Sequence, residues 1–503
     1  MTDNGTTAPE RDYDYSRLLD VHRWSDYPEV NGFIDTIFKG HFSSDPTTIQ
    51  KKHLKVVLLD LYVAWQTDPD LCIALHMGST AYKPKSRYNS LHISKTTIKV
   101  VQDLKRLGLI GVKDGFNDRR EGGSGRLTRI WPTDKLIGSF KKASFSIYTI
   151  DSHNQKETII LRDSTKKPIE YKDTAETSRM RNVLSDYNAL LADTHIDCCH
   201  LDQPYVERTD GKKISISYHK QFSHRVFNNE SFKQGGRFYG GWWEQIGQDH
   251  RQHIRINGER CIEVDYSALH IGLLYAECGV NYWACDSTPS DPYDLQVDEL
   301  ADYPDARRWL SKQIFLIGIN ATNEQKAFGA IRNKASDYWE FPQDLKLTNK
   351  LLKRALDEIR KSHPLIADML CSGHGVDLQY TDSQITENLI KRFTKTSAPI
   401  LSVHDSYLVA EPYAPDLREA MWEEWASVTK LRAPDDAPFE YVSDYTSIKQ
   451  LGYTDELEDD DPKVHQEILA EKAAEYVSPR YTKSLQTFEL WQKEKGTSNG
   501  EEV

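Results

Sequence analysis

Two aspartates, Asp265 and Asp405, stand where short apolar runs typical of β-strands are interrupted. Ile262 and Val264 precede Asp265, and Asp405 lies within "ILSVHDSYLV", residues 400–409. An ionised carboxylate in partly buried surroundings is costly unless something neutralises it. If the two strands are adjacent, the pair can hold two Mg²⁺ or Mn²⁺ ions, which clamp the attacking and leaving oxygens of a phosphoryl transfer. The alternative for Asp405 is an ordinary hairpin turn, in which Asp and Ser bond to the local backbone.

A second set of candidate residues recurs every four positions between the two aspartates. Within "ARRWLSKQIFLIGINATNEQKAFGAI", residues 306–331, the set is Arg308, Lys312, Leu316 and Asn320. Steps of four place all of them on one stripe of a single helix. The cationic end of such a stripe suits a triphosphate, with the later positions facing a base and a sugar. The alternative is an amphipathic helix with an exposed Arg-Lys pair.

The order of these segments resembles that of the family A polymerases, which comprise bacterial DNA polymerase I relatives and phage-type single-subunit RNA polymerases. "VDYSALHI" around Asp265 resembles motif A, "RxxxKxxx" at Arg308 and Lys312 resembles motif B, and "VHDS" around Asp405 resembles motif C. Two further segments match the family's Gly-Arg segment and its Gln-bearing helix: "GGRFYGGWWEQI" (235–246) and "LQYTDSQITENLIKRF" (378–393). The resemblance covers about residues 225–450 and implies an α+β fold with a right-hand-like palm and fingers.

The resemblance also implies roles for individual residues. It assigns the metal ions to Asp265 and Asp405, and catalysis to Asp265, Asp405 and Lys312. Nucleotide-binding residues would be Arg308, Lys312, Leu316, Asn320, His270 and Tyr266. Primer and template contacts would come from Arg237, Gln379 and His404. The partners implied are a DNA template with its primer and nucleoside triphosphates.

The chain departs from the family pattern at positions that matter for sugar and base selection. His270 stands where DNA-polymerising members carry Glu, while Leu316 and Asn320 replace an aromatic residue and a tyrosine. Ser406 follows the motif C aspartate, as in the RNA polymerases. We expect His270 to act as a steric gate that favours deoxynucleotides, and the competing possibility is a hydrogen bond to the ribose 2′-hydroxyl that selects ribonucleotides. No Asp-x-Glu exonuclease signature lies upstream, so we expect no proofreading.

Upstream of these motifs the chain carries a basic segment. Residues 85–132 contain eleven Lys and Arg against four Asp and Glu, although the whole chain has a net charge of −12. Ser94 is a suitable cap for a helix that ends at Gly108, and two short strands follow, separated by the loop "GFNDRREGGSG". Helix, strand, basic loop and strand is the order of a winged helix-turn-helix. The alternative is a small α+β module with a solvated face.

Duplex DNA is the partner expected for this module, because basic side chains contact phosphates. Those we expect to do so are Lys95, Lys99, Arg119, Arg120 and Arg126. The sequence predicts five regions: a flexible arm (1–45), the winged-helix-like module (46–140), a connecting or thumb-like region (141–224), the family A-like palm and fingers (225–452) and an acidic tail (453–503). The tail has thirteen acidic against six basic residues and is expected to hold a final helix near 463–476.

The function favoured by these patterns is template-directed nucleotidyl transfer, most simply by a DNA-directed DNA polymerase that replicates a plasmid, phage or mobile element. One alternative is an RNA polymerase or primase that uses ribonucleotides. Another is a DNA-binding replication initiator with an inactive palm. No run of about 18 apolar residues occurs and the N-terminus is polar, so we expect a cytoplasmic protein with no membrane partner.

Overall fold

Buried apolar side chains of the chain form two separate clusters, one drawn from residues 15–150 and one from residues 159–425. We call the surrounding parts the N-terminal unit (11–151) and the C-terminal unit (154–500). The computed structural model describes residues 11–41, 48–117, 125–143, 145–151, 154–285, 287–338, 340–431, 448–451 and 476–500. Both units mix helices with sheets, so the fold is α+β, as expected.

The N-terminal unit consists of four helices and six strands among the described residues. The helices are α1 (Pro28–His41), α2 (Thr48–Thr67), α3 (Thr96–Arg106) and α4 (Asp134–Phe140). The strands are β1 (Ser16–Leu18), β2 (Cys72–Leu75), β3 (Ile110–Lys113), β4 (Phe116–Asn117), β5 (Gly125–Arg126) and β6 (Thr128–Pro132). They form a sheet in the order β1-β2-β6-β3, and β4 pairs with β5. Gly108, with φ of +66°, ends α3 as predicted.

The flexible arm predicted for residues 1–45 is wrong for residues 11–41. Strand β1 pairs in parallel with β2, and α1 contributes buried side chains such as Val30, Ile34 and Phe38 to the first apolar cluster. These residues recur at helical spacing, and their burial against α2 stabilises the segment by removing apolar area from water. Residues 1–10 and 42–45 lie outside the described part of the chain.

The C-terminal unit contains the remaining elements. The strands are β7 (Ile159–Leu161), β8 (Ile196–Cys198), β9 (Tyr205–Glu207), β10 (Lys213–Ser215), β11 (Gln221–Asn228), β12 (Ser231–Gly241), β13 (Ile254–Ile256), β14 (Glu259–Tyr266), β15 (Ile400–Val403), β16 (Ser406–Ala410) and β17 (Ile448–Leu451). The helices are α5 (Ala175–Ala192), α6 (Gln248–Arg251), α7 (Leu269–Glu277), α8 (Pro304–Gly318), α9 (Glu324–Ser336), α10 (Asn349–Ser362), α11 (Gly375–Lys395), α12 (Ala414–Thr429) and α13 (Pro479–Gly500).

Two sheets organise this unit. The first has the order β15-β16-β14-β13-β8, and β17 pairs with the end of β14 that β13 leaves open. The second joins β12, β11 and β7, and β12 packs under α11. All pairs of the first sheet are antiparallel. The consecutive strands β13 and β14, and likewise β15 and β16, pair as hairpins. Within the described ranges, no helix combines the length and the apolarity that crossing a membrane requires.

Helix α5 lies in the region predicted to be connecting or thumb-like (141–224), but it is part of the core of the C-terminal unit. Met180, Leu184 and Tyr187 of this helix are buried in the second apolar cluster. The Tyr187 hydroxyl donates to the carbonyl of Ile400, and the Asn188 amide donates to the carbonyl of Ser223 at 2.9 Å. From residue 154 onward, the connecting region expected at 141–224 therefore belongs to the C-terminal unit, because α5 packs against β7 and β11, whereas the part up to residue 151 belongs to the N-terminal unit.

The described end of the chain is a packed helix and not an acidic tail. Helix α13 buries Tyr481 and Phe488, which lie two turns apart on one face. Arg480 donates two hydrogen bonds to the buried carboxylate of Asp197, at 2.8 and 2.9 Å, and so ties the helix to β8. The acidic run and the helix predicted near 463–476 fall almost wholly outside the described residues.

The two units are joined by a network of charges centred on Arg87. Its guanidinium lies 3.4 Å from the centre of the Tyr171 ring and donates to Glu157 at 3.1 Å and to Asp173 at 2.8 Å. Arg181 of α5 binds the same two carboxylates. Planar guanidinium groups pair with carboxylates in fixed geometry, so this network holds the N-terminal unit in a defined position.

Replacing Arg480 by Met is expected to lower the free energy of unfolding by about 2–4 kcal/mol, because it leaves the buried Asp197 carboxylate without its partner. Urea denaturation followed by circular dichroism measures the loss. Lys483→Met, an exposed position on the same helix, is the control and should change stability by less than about 0.5 kcal/mol. Equal stability of the two variants would contradict the docking role of α13.

Candidate active site

The two predicted metal aspartates meet at one end of the first sheet. Strand β14 pairs with β16 in the register Asp265↔Ser406, and β15 pairs with β16 in the register Val403↔Ser406. Asp405 therefore lies in the turn beside the end of β14, and the Tyr266 amide donates to its carbonyl at 3.3 Å. Both aspartates are half-buried. The structure thus brings together the two carboxylates that the sequence placed on separate strands.

The hairpin reading of Asp405 is also correct as a description of its backbone. His404 and Asp405 form the two-residue turn between β15 and β16, and His404 has φ of +59°. Tight two-residue hairpins require positive φ, which His tolerates better than most residues other than Gly. The turn and the acidic pair are therefore the same feature, since the tight turn is what presents Asp405 next to Asp265.

A buried carboxylate below the pair holds the two strands in register. Glu263 accepts a hydrogen bond from the Ser406 hydroxyl at 2.7 Å and two from Arg251 at 2.8 and 2.9 Å. Glu263 lies two residues before Asp265 and so on the same face of β14. Charge-assisted bonds of this kind are stronger than neutral ones, so the Glu263–Ser406 contact resists a slip of the hairpin. Our sequence reasoning did not identify Glu263.

Trp243, after β12, supports the other side of the hairpin, and the neighbouring Glu244 closes its own turn. The buried Trp243 indole donates to the carbonyl of Ser402 in β15 at 3.1 Å. Glu244 accepts a hydrogen bond from the Gly241 amide at 3.1 Å. Burial raises the pKa of the Glu244 carboxyl to about 8, so this group is favoured in its protonated form in the folded protein.

The predicted cationic stripe lies on the exposed face of α8. Arg308, Lys312 and Leu316 are all exposed, and Leu316 retains 52% of its accessible surface although it is apolar. The prediction that Asn320 lies on the same helix as the other three residues is wrong, because α8 ends at Gly318. The Asn320 side chain donates to the Leu316 carbonyl at 2.7 Å, one of the carbonyls that a helix end leaves without a partner.

Tyr293, which the sequence reasoning missed, lies beside the cationic stripe. The Arg308 guanidinium and the Lys312 ammonium lie 5.8 and 5.7 Å from the centre of its ring. Burial, followed by the charges of Asp405 and Asp265, raises the pKa of the Tyr293 hydroxyl to about 12. The charges of the acidic pair and of the cationic stripe therefore both act on one tyrosine, so the two groups lie in the same part of the C-terminal unit.

Arg308 already has a carboxylate partner in this structure. It forms an ion pair with Asp291, two residues before Tyr293, and about half of the Arg308 side chain is exposed. Exposed ion pairs contribute about 0–1 kcal/mol, so an incoming polyanion can replace Asp291 at small cost. The pairing keeps the guanidinium next to Tyr293 without fixing it there.

Three further polar side chains meet beside the aspartates. Arg237 of β12 donates through Nε to Asp382 of α11 at 2.9 Å, and its Nη2 donates to the same carboxylate. His270 of α7 places Nε2 at 3.0 Å from Asp382 and 2.9 Å from Arg237. Burial alone would lower the pKa of Arg237, but the charges of Asp382 and Asp405 raise it. Gly236, with φ of +85°, allows β12 to bring Arg237 to this point.

The remaining predicted site residues are distributed differently. Gln379 is half-buried on α11, three residues before Asp382 and so on a neighbouring part of the same helix face. His404 is exposed in the hairpin turn, with its ring 6.0 Å from that of Tyr239. Tyr266 contradicts its predicted role, because its side chain is 1% exposed and its hydroxyl donates to the carbonyl of Met421. Strand alternation explains this, since Tyr266 faces away from Asp265.

The donor set suits Mg²⁺ better than a transition metal. Within the described ranges, no group of three or more His, Cys, Asp and Glu side chains could hold a metal ion by itself. Mg²⁺ is usually bound by one or two carboxylates, with substrate phosphates completing its octahedral shell. Asp265 and Asp405 therefore fit Mg²⁺, provided that a further ligand completes its shell.

In the N-terminal unit, the basic residues predicted to contact DNA are only partly described. Lys95 precedes the first turn of α3 and Lys99 lies within it, and both are exposed. Arg126 of β5 donates to Asp14 at 2.9 Å. Arg119 and Arg120 lie outside the described residues. Among the described residues, the exposed basic side chains predicted to contact DNA therefore lie at the start of α3.

No protein-family model matches the chain, and no curated protein matches it. Among solved structures, the chain is similar to the POL domain of Pol1 from M. smegmatis in complex with DNA primer-template and dNTP. The two are 12% identical, and the TM-score is 0.27. The match covers 86% of this chain and 66% of that chain, so it spans about two thirds of the neighbour's length. A likeness of this size carries no argument about fold or function.

The raised pKa of Glu244 gives a test of the burial of this carboxyl in the turn after β12. A carboxyl whose pKa rises on folding stabilises the fold at low pH, and this contribution is lost as the pH rises through about 8. Glu244→Gln should therefore be more stable than wild type at pH 9, by about 2–4 kcal/mol, and similar to it at pH 5. Urea denaturation at both values checks this. A pH-independent difference would contradict the burial of a neutral Glu244.

Proposed function

We propose that the chain is a template-directed nucleotidyltransferase, most simply a DNA-directed DNA polymerase of the family A type. The observation that carries the proposal is the meeting of Asp265 and Asp405 at one sheet end, with Tyr293 under the influence of their charges and next to the cationic stripe. Acidic and cationic groups on opposite sides of one space are what a metal-bound triphosphate requires. The motif order of the sequence supports the same conclusion.

Asp265 and Asp405 would hold two Mg²⁺ ions, or Mn²⁺ in their place. When bound, such a pair lowers the barrier of phosphoryl transfer by stabilising charge on the attacking and leaving oxygens. The carboxylates contribute negative charge at a fixed position, because the hairpin and Glu263 hold both strands. The reaction in view is the attack of a primer 3′-hydroxyl on the α-phosphate of a nucleotide.

The exposed face of α8 would bind the triphosphate. Arg308 would exchange Asp291 for phosphate oxygens, and Lys312 would stabilise the charge that develops on the leaving group. Leu316 offers an exposed apolar surface on the same stripe, which suits the face of a base. Asn320, just past the helix end, lies at the outer limit of this surface.

Primer and template would be contacted near β12 and α11. Arg237 and Gln379 lie on these two elements, and His404 is exposed in the turn between β15 and β16. His270, beside Arg237, would limit the space for a ribose 2′-hydroxyl and so favour deoxynucleotides. A steric gate of this kind discriminates less sharply than a hydrogen bond to the hydroxyl, so the size of the preference separates the two readings.

The N-terminal unit would bind duplex DNA as a winged helix-turn-helix. The order α2, β2, α3, β3, β6 and the sheet order β2-β6-β3 support this assignment. Helix α3 would enter the major groove with Lys95 and Lys99, and the segment between β3 and β6 would act as the wing. The Arg87 network would then hold the bound duplex in a fixed position relative to the C-terminal unit.

The alternatives have less support. Ser406 resembles the RNA polymerases, but its hydroxyl donates to Glu263 inside the sheet, so it has a structural reason to be present. An RNA polymerase or primase is therefore the second candidate only if His270 forms a hydrogen bond to the ribose 2′-hydroxyl and so selects ribonucleotides. A replication initiator with an inactive palm would have no need of both half-buried aspartates. Replication of a plasmid, phage or mobile element, without proofreading, is the setting we propose.

Asp265→Asn and Asp405→Asn should each reduce nucleotide incorporation more than about 100-fold, because an amide loses the charge that holds a divalent cation. Primer extension with dNTPs or NTPs, on primed and unprimed templates in Mg²⁺, measures this and identifies the preferred sugar. Asp416→Asn, an exposed position on α12, is the matched control and should extend normally. Robust extension by both site variants would refute the assignment.

Lys99→Ala should weaken binding of the full chain to duplex DNA and reduce the slope of log K against log salt by about 0.9, the value for one phosphate contact. Fluorescence anisotropy at several salt concentrations provides the slope. Lys483→Ala removes the same charge from α13 and should leave the slope unchanged. Identical slopes for wild type and Lys99→Ala would argue against α3 as the DNA-binding helix.

A further inference from the structure

The cluster formed by Arg237, Asp382 and His270 poses a question of proton placement. His270 Nε2 lies 2.9 Å from a donor, Arg237 Nη2, and 3.0 Å from an acceptor, Asp382 Oδ2. One ring nitrogen either carries a proton and donates, or has a lone pair and accepts. It cannot satisfy both neighbours at once, so one of the two contacts decides the state of the imidazole.

The Asp382 contact is the stronger determinant. Asp382 is 3% exposed, and a lone pair on Nε2 would face its buried negative charge at hydrogen-bond distance. Arg237 needs no acceptor from His270, because its Nε and Nη2 already donate to Asp382. A proton on Nε2 therefore gives Asp382 a third donor and leaves no lone pair opposed to it. The neutral ring then carries its lone pair on Nδ1.

We infer that Asp382 is a positioning residue of the nucleotide site, which fixes the tautomer and the orientation of His270 and at the same time holds Arg237. This inference rests on the proposed function and goes beyond it, because Asp382 itself would touch neither metal nor nucleotide. It lies on α11, whereas Arg237 and His270 lie on β12 and α7. One buried carboxylate therefore couples three elements around the site.

Selection of the sugar depends on this coupling. A steric gate works only if the gating side chain cannot swing away, and a ring held at Nε2 by a charge-assisted bond is restrained. Asp382→Asn keeps the size of the side chain but loses the charge and replaces one acceptor by a donor. His270 is then free to rotate or to change tautomer, and the space next to the 2′-position opens.

The first experiment measures kcat and KM for a dNTP and for the matching rNTP on a primed template. Asp382→Asn should lower the ratio of kcat/KM values, dNTP over rNTP, by about tenfold, comparable to the loss of one charge-assisted hydrogen bond. His270→Ala should lower the ratio similarly, and the double variant should show no further change. Any loss of primer contact through Arg237 affects both nucleotides alike and cancels in the ratio.

Asp377→Asn, at a partly exposed carboxylate five residues earlier on α11 that binds Gln234 and His374, is the matched control and should leave the ratio unchanged. A purely structural role for Asp382 predicts that both kcat/KM values fall by the same factor. An unchanged ratio in Asp382→Asn, or additive effects in the double variant, would overturn the inference.

The second experiment needs no turnover and so separates this inference from the proposed function. Histidine is labelled with ¹⁵N, and the His270 resonances are assigned by their loss in His270→Gln. Wild type should show a protonated Nε2 and an unprotonated Nδ1, and Asp382→Asn should lose this pattern. A proton on Nδ1 in wild type, or an unchanged spectrum in Asp382→Asn, would overturn the tautomer assignment. Absence of incorporation by wild type would instead refute the proposed function.

Discussion

The pairing of β14 with β16 is the constraint on which the candidate site depends. In this register Asp265 lies opposite Ser406 and beside Asp405. A slip of one residue would move every side chain of one strand to the other face of the sheet and separate the two carboxylates. Glu263, bonded to Ser406 and Arg251, opposes such a slip from within the sheet. Trp243 adds a bond to β15 from outside it.

Electrostatics explains the arrangement around that pair. Two half-buried carboxylates at neighbouring positions repel each other unless positive charge lies near. Arg237 supplies part of this positive charge, since Asp405 is among the charges that raise the pKa of Arg237. The cationic stripe of α8 supplies more across Tyr293, while Arg308 keeps a replaceable partner in Asp291. The acidic pair is thus balanced by positive charge from two sides.

Much of the site could be predicted from local sequence, because the signals were periodic. Apolar runs ending at Asp265 and Asp405 predicted strand ends, and steps of four predicted the exposed stripe of α8. Tyr266 could have been excluded by the same reasoning, since alternation along β14 turns it away from Asp265. Asn320 could not be placed so easily, because helix ends depend on local capping and vary by a residue or two.

Other parts of the structure have no local signal. Tyr293, Glu263 and Asp382 gain their roles from residues on other elements, and single acids or tyrosines in a sequence do not reveal such partners. The same limit applied to the fold. Residues 11–41 and α13 were predicted as an arm and a tail, because the surfaces that bury them come from distant parts of the chain.

In the proposed site, Asp265 and Asp405 bind two divalent cations. Crystals of the chain with primer-template, a chain-terminating nucleotide and Mn²⁺ would test it most directly, through an anomalous difference map. A two-metal site predicts two Mn²⁺ peaks about 3.5–4 Å apart, each next to these carboxylates and the triphosphate. A nucleotide bound next to α8 without a Mn²⁺ peak at either aspartate would show that Asp265 and Asp405 do not bind the cations.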